Sequence, residues 1–155
     1  MEKKLNVKDE ALRRLSYRLY STLELTRHLK NLDYNDSEIE ETVHELTENQ
    51  YLDDKGFVEN YVSGRGMRRL MSLRALEYEL KAIVGQTPWL SAVIREAYHV
   101  FNGGEDNVLT RILEKKNARS IIQDSMESRK LVDYLRKKGF TYENILNAME
   151  QLKAD

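Results

Sequence analysis

The 155-residue sequence contains no cysteine, one proline and seven glycines. Without cysteine there are no disulfides and no thiolate metal sites, and nothing points to an oxidising compartment. So little proline and glycine leaves room for long helices, because these two residues weaken a helix interior most. No apolar run approaches the roughly 18 residues that suggest a membrane-spanning helix. The opening, MEKKLNVKDE, is charged and lacks the apolar core of a secretory signal, so the cytoplasm is the expected location. Glycine-rich phosphate loops, Gly-x-Ser-x-Gly and any notable Ser/His/Asp arrangement are also missing. No catalytic residue and no cofactor are therefore expected.

What is present suits a charged helical protein: 41% of residues are apolar and 33% carry charge. The net charge of −1 hides a segregated distribution. Residues 1–32 hold 8 basic and 4 acidic groups, residues 33–63 hold 1 and 10, and residues 64–138 hold 15 and 9. Such polarity is either a set of solvated helix faces or a surface that meets a charged partner.

Three segments share one apolar pattern. LELTRHLKNLDYNDSEIEETVHEL places Leu25, Leu29, Ile39 and Val43 at offsets 0, 4, 14 and 18. LRALEYELKAIVGQTPWLSAVIREA places Leu76, Leu80, Leu90 and Ile94 at the same offsets, and SRKLVDYLRKKGFTYENILNAMEQL places Leu131, Leu135, Ile145 and Met149 there. The anchors Leu25, Leu76 and Leu131 lie 51 and then 55 residues apart. Leucines four apart share a helix face. The polar break between the pairs predicts two helices per segment. Ser21-x-x-Glu24 is a capping box. Asp36/Ser37, Thr87-Pro88 and Thr141 are expected caps, and Gly139 suits a left-handed C-cap. A further helix precedes each pair, carrying Leu12, Leu15 and Leu19, then Phe57 and Tyr61, then Val108, Leu109, Ile112 and Leu113. The expected fold is all-α, with three tandem three-helix repeats (10–53, 54–101 and 104–153) forming one elongated curved body. NGGED at 102–106 is the expected connector between the second and third.

The adjacent acids Asp53 and Asp54 raise the question of a metal or catalytic site. Two neighbouring carboxylates without further ligands make a poor metal site. Architecture explains them better: Asp54 is expected to cap the helix of Phe57 and Tyr61, with Asp53 sharing that role or pairing with an arginine such as Arg65. Tyr51, Leu52, Phe57 and Tyr61 would pack at the repeat junction. Glu41…His44 and Glu96…His99 have the Glu-x-x-His spacing of di-iron bundles. At 100° per residue, however, Glu41 and His44 lie roughly 200° and 140° from Ile39, away from the core. No metal is expected. Trp89, the only tryptophan, is expected to pack.

The basic residues are the candidates for binding. Arg65, Arg68, Arg69 and Arg74 crowd into RGMRRLMSLR, Lys115, Lys116 and Arg119 into RILEKKNAR, and SRKLVDYLRKK adds Arg129, Lys130, Arg136, Lys137 and Lys138. Arginines this close rarely all serve a core. Phosphate or an acidic protein surface would suit them equally.

Three stretches resemble the RecX family of bacterial recombination regulators: the first repeat from ALRRLSYRL to QYLDD, then FVENYVSGR with SLRALEYELK, and finally RKLVDYLRKKGFTYENILNAME. Leu52-Asp53-Asp54…Phe57…Tyr61-Val62…Arg65 is the most specific constellation. RRLMSLR departs from it, standing where a Gly-Pro-type turn is usual. The resemblance implies a protein that binds the RecA recombinase filament on single-stranded DNA and restrains strand exchange, ATP hydrolysis and repressor self-cleavage, without catalysis of its own. It implies RecA as partner, with direct DNA contact as a further expectation; the sequence carries no clear oligomeric signal, and a monomer is expected. The alternative is a helical-repeat module whose main ligand is nucleic acid.

Overall fold

A computed structural model describes residues 3–155; Met1 and Glu2, with which the N-terminal signal reading begins, lie outside it. Ten helices follow one another and no strand occurs among the described residues. They are α1 (Val7–Leu15), α2 (Thr22–Asn31), α3 (Asp36–Glu48), α4 (Asp54–Tyr61), α5 (Leu73–Val84), α6 (Leu90–Asn102), α7 (Gly104–Lys115), α8 (Ala118–Ile121), α9 (Ser125–Lys137) and α10 (Tyr142–Ala154). A π-helical turn, Val62–Gly66, continues α4. The all-α expectation therefore holds. Among the described residues no helix is long and apolar enough to cross a membrane.

Eleven of the twelve patterned apolar positions are buried, Leu25, Leu29, Leu76, Leu80, Leu135 and Ile145 among them. The exception is Val43, which is half-buried while Thr42 and Leu46 turn inward on α3. The chain divides into two compact units: residues up to Phe57 with Leu80–Thr87, and Val58–Glu79 with Pro88–Asp155. In the first, α1, α2 and α3 enclose Ala11, Leu25, Leu29, Ile39, Leu46 and Leu52. In the second, α6 packs on the π-turn and on α7, and α10 packs on α7 and α9.

The helix ends explain the local structure and correct several expectations. The Ser21 capping box is present, with Ser21 Oγ and Glu24 Oε2 each accepting a backbone N–H at 3.1 Å. Thr141 accepts Asn144 N–H at 3.2 Å. Asn35, not Asp36 or Ser37, caps α3, because its side chain takes the Ser37 N–H at 2.8 Å. Thr87 does not cap α6: Pro88 and Trp89 form a turn, the first helical bond runs from Val93 N–H to Trp89 C=O, and the buried Thr87 hydroxyl has no partner among the described residues. Trp89 is half-buried. Leu19 falls beyond α1 and is 55% exposed; Ala11 takes the core position there. Gly103 and Gly104, both at positive φ, make the expected connector between α6 and α7.

Four helices end in the same way. A residue at positive φ is followed by one whose N–H reaches back five positions: Tyr34 to Leu29, Tyr51 to Leu46, Met71 to Gly66 and Phe140 to Leu135. The left-handed residues are Asp33, Gln50, Leu70 and Gly139. This closure satisfies the carbonyls orphaned at a helix end. Only the last uses glycine. RRLMSLR makes its turn by forcing Leu70 to φ 48°, which costs a side-chain-bearing residue about 1 kcal/mol or more.

Two clasps recur along the chain. In the first unit, Ser21 Oγ donates to the Ile83 carbonyl at the end of α5 at 2.6 Å, and Thr22 N–H donates to Asp54 Oδ1 at 2.8 Å. In the second, Ser72 Oγ donates to the Lys138 carbonyl at the end of α9 at 2.7 Å, and Leu73 N–H donates to Glu105 Oε1 at 3.1 Å. Ser21 and Ser72, Thr22 and Leu73, and Asp54 and Glu105 are each 51 residues apart, the interval of the apolar pattern. Each clasp satisfies a helix N-terminus with a carboxylate from the first turn of a later helix.

Candidate interaction surface

The acidic pair is architectural, with the roles exchanged. Phe57 N–H bonds to the Asp53 carbonyl at 2.8 Å, so Asp53 is the N-cap of α4. Its carboxylate accepts Gly56 N–H at 3.1 Å. Asp54, expected as that cap, instead sits in the first turn of α4 and gives its carboxylate to α2. Leu52, Phe57 and Val58 are buried. Tyr51, expected to pack, is 59% exposed.

The π-turn adds one residue to a helical turn, and α4 continues through it to Arg68. Arg65 and Arg69 lie four apart, and both reach Glu79 on α5, at 3.8 and 2.9 Å. Arg65 therefore pairs with Glu79 rather than with Asp53 or Asp54. The Tyr61 hydroxyl donates a short hydrogen bond to the same carboxylate. Burial, then this bond, pushes the Tyr61 hydroxyl up to about 12. Burial would raise Glu79, but the bonds from Tyr61 and Arg69 outweigh it and hold Glu79 below the usual range. Sequence reasoning missed Glu79. Its three partners lie 10, 14 and 18 residues away across the Leu70 turn, and no local spacing signals such a cluster.

The other cations are distributed differently. Arg68 is exposed and makes no ion pair among the described residues. Arg74, on α5, lines a groove of about 450 Å³ with Arg136, Lys137, Phe140 and Tyr142. Lys115 ends α7, and Arg119 is exposed on the four-residue α8, a helix the sequence reading did not assign. Lys116 follows α7, with its ammonium 4.2 Å from the centre of the Tyr134 ring. Of the seven expected binding residues, Arg65 and Arg69 are thus tethered to Glu79, and the other five make no ion pair among the described residues. Glu41, His44, Glu96 and His99 are all exposed, away from the core.

These features define an all-helical repeat protein whose charged groups are displayed on exposed helix faces. Comparison with known proteins is specific. Residues 8–46 match the family model described as RecX, first three-helix domain. A regulatory protein RecX of Bacillus licheniformis is 30% identical over 153 residues, covering 92% of this chain and 53% of its own length. One from Mannheimia succiniciproducens is 28% identical over 138 residues, 86% of either chain. The crystal structure of RecX from Lactobacillus salivarius superimposes with a TM-score of 0.77 at 23% identity over 96% of both chains. The chain is similar in sequence to regulatory proteins RecX along most of its length, and it shares the fold of RecX crystal structures. It spans about half the length of the Bacillus relatives it matches.

Proposed function

We propose that this protein binds the RecA recombinase filament and restrains its recombinase, ATPase and coprotease activities, acting in the cytoplasm as a monomer and by binding rather than catalysis. The similarity to regulatory proteins RecX carries this reading. The 51-residue interval between the two clasps supports three consecutive repeats (10–53, 54–101, 104–153) as the scaffold.

Among the candidate contacts Arg65, Arg68, Arg69, Arg74, Lys115, Lys116 and Arg119, all but Arg65 and Arg69 keep a charge that no carboxylate among the described residues engages. Arg65 and Arg69 share Glu79, so part of their charge is already neutralised. The test is DNA-dependent ATP hydrolysis by RecA with increasing amounts of this protein. Inhibition that weakens as salt rises supports the reading. Unchanged hydrolysis, with no binding to the filament, would refute it. The second reading, nucleic acid as principal ligand, is favoured by the basic face around Tyr134 and is separated from the first by assays without recombinase.

A further inference from the structure

Helix α7 meets the second repeat at two fixed points. Near its start, Glu105 Oε1 accepts the Leu73 N–H at 3.1 Å. Further along, the Arg111 guanidinium reaches Met67 Sδ at 3.4 Å. Met71 lies between Met67 and Leu73 in the chain, and its carbonyl accepts the buried Tyr98 hydroxyl at 3.0 Å. One later helix and one aromatic ring thus close the side of this repeat.

The third repeat has the corresponding places without that cover among the described residues. Leu113 and Ala118 stand 51 residues after Val62 and Met67, and Leu152 and Lys153 stand 55 after Ala97 and Tyr98. These are the two intervals of the apolar pattern. Lys153 brings no ring. Two adjoining hollows of about 360 and 410 Å³ open there and share Arg119 and Leu152. Leu113, Ala118, Ile122 and Leu152 form the apolar wall of this groove, and Glu114 and Asp155 are the carboxylates that line it. The counterpart of Leu73 is Ser125, the first residue of α9, whose N–H has no hydrogen-bond partner among the described residues. Ser21 and Ser72, which precede the clasped helices, are fully buried, whereas Asp124, which precedes Ser125, is exposed.

We propose that this groove binds an amphipathic helix of a partner protein, one with a carboxylate in its first turn and apolar residues three, four, seven and eight positions later. The chain carries the template twice. Asp54 precedes Phe57, Val58, Tyr61 and Val62 at those spacings, and Glu105 precedes Val108, Leu109, Ile112 and Leu113. Such a stripe is what holds a helix in an apolar groove. A carboxylate in its first turn would stand at the α9 N-terminus, where negative charge is favoured. The groove, not that N-terminus, is the site, because the groove supplies the apolar surface to be buried. A second copy of this chain fits less well. Its α4 and α7 serve their own clasps, and α1 has Arg13 where a second apolar residue would follow Asp9 and Leu12. Nucleic acid would leave the apolar wall unused. The inference does not depend on the recombinase reading.

The probe is a fluorescein-labelled synthetic peptide of residues 103–116, which carries the second template. It is added to the intact chain and followed by anisotropy. The wild type is expected to bind it. Leu152→Asp puts a charge into the apolar wall at a half-buried position and should weaken binding about tenfold. Leu152→Met keeps the wall apolar and should bind as the wild type does. Glu105→Ala in the peptide should weaken binding about threefold, and Val108→Asp/Ile112→Asp in the peptide should abolish it. Circular-dichroism melts show whether the Leu152→Asp chain is folded; if it is not, the milder Leu152→Ala takes its place, with a loss of about threefold expected. No binding by the wild type overturns the inference. So does undiminished binding by the folded Leu152 variant, or equal binding of the doubly substituted peptide. Sedimentation equilibrium tests the other occupant: a dimer that the Leu152 variant dissolves seats a second copy in the groove and overturns the inference.

Discussion

The carboxylate of Asp54 accepts the backbone N–H of Thr22 at 2.8 Å. Asp54 belongs to the first turn of α4 and Thr22 to that of α2, so one charge serves two helix N-termini. Asp54→Ala is therefore expected to destabilise the protein by about 0.5–2 kcal/mol, the range for a lost helix cap. The loss should exceed that of Asp54→Asn, whose side-chain oxygen can still accept the bond. If the filament reading holds, RecA inhibition should survive wherever the variant is folded. Urea melts and the ATPase assay together check this.

Gly56 and Asp53 should be coupled. A Cβ at Gly56 would lie 2.6 Å from Asp53 Oδ2. Gly56→Ala alone must displace the cap, so the expected helix-propensity gain is cancelled or reversed. In an Asp53→Ala background the obstacle is gone, and Gly56→Ala should stabilise by about 0.5–1 kcal/mol. A double-mutant cycle measures the difference, and additive effects would contradict the geometry.

Leu29, Leu80 and Leu135 hold equivalent places in the apolar pattern, and each is fully buried. Each change to alanine should cost about 2–5 kcal/mol in denaturant melts.

Acid and alkali should destabilise through different groups. Glu10, 3% exposed, is held below the ordinary glutamate value of 4.5 first by its hydrogen bond from Arg13, against the opposing effect of burial. Glu79 is likewise depressed. A depressed carboxylate contributes stability that is present above its unfolded value and lost as pH falls through its folded value. Melting temperature should drop below pH 4.5, and Glu10→Gln should flatten that drop. Tyr61 is raised from 10.0 to about 12, so its contribution is present below pH 10 and lost as pH rises toward 12. Tyr61→Phe should remove that alkaline loss.

Arg68→Glu and Arg69→Glu should separate binding from stability. The first changes an unpaired exposed side chain and should leave stability within about 0.5 kcal/mol. The second sets a carboxylate against Glu79 and should cost up to about 1 kcal/mol, limited because Arg69 is half exposed. If the filament reading holds, Arg68→Glu should weaken RecA inhibition in the ATPase assay without a shift in melting.

The sequence by itself determined the helical class, the repeat interval and most of the buried positions. Leucine spacing on a 3.6-residue helix dictates which faces need covering. The Ser21 box, Thr141 and Gly139 were legible because capping chemistry is local. Tertiary structure decided where a group's partner lies far along the chain. Asp54 turned from its own helix to Thr22, 32 residues away, and Glu79 gathered Tyr61, Arg65 and Arg69 across a turn that Leu70 makes without glycine. The pairing of Lys116 with Tyr134 and of Arg74 with Arg136 and Tyr142 was equally hidden. Which cations are neutralised and which stay available depends on three-dimensional proximity, and charge interaction falls with distance through space, not along the chain.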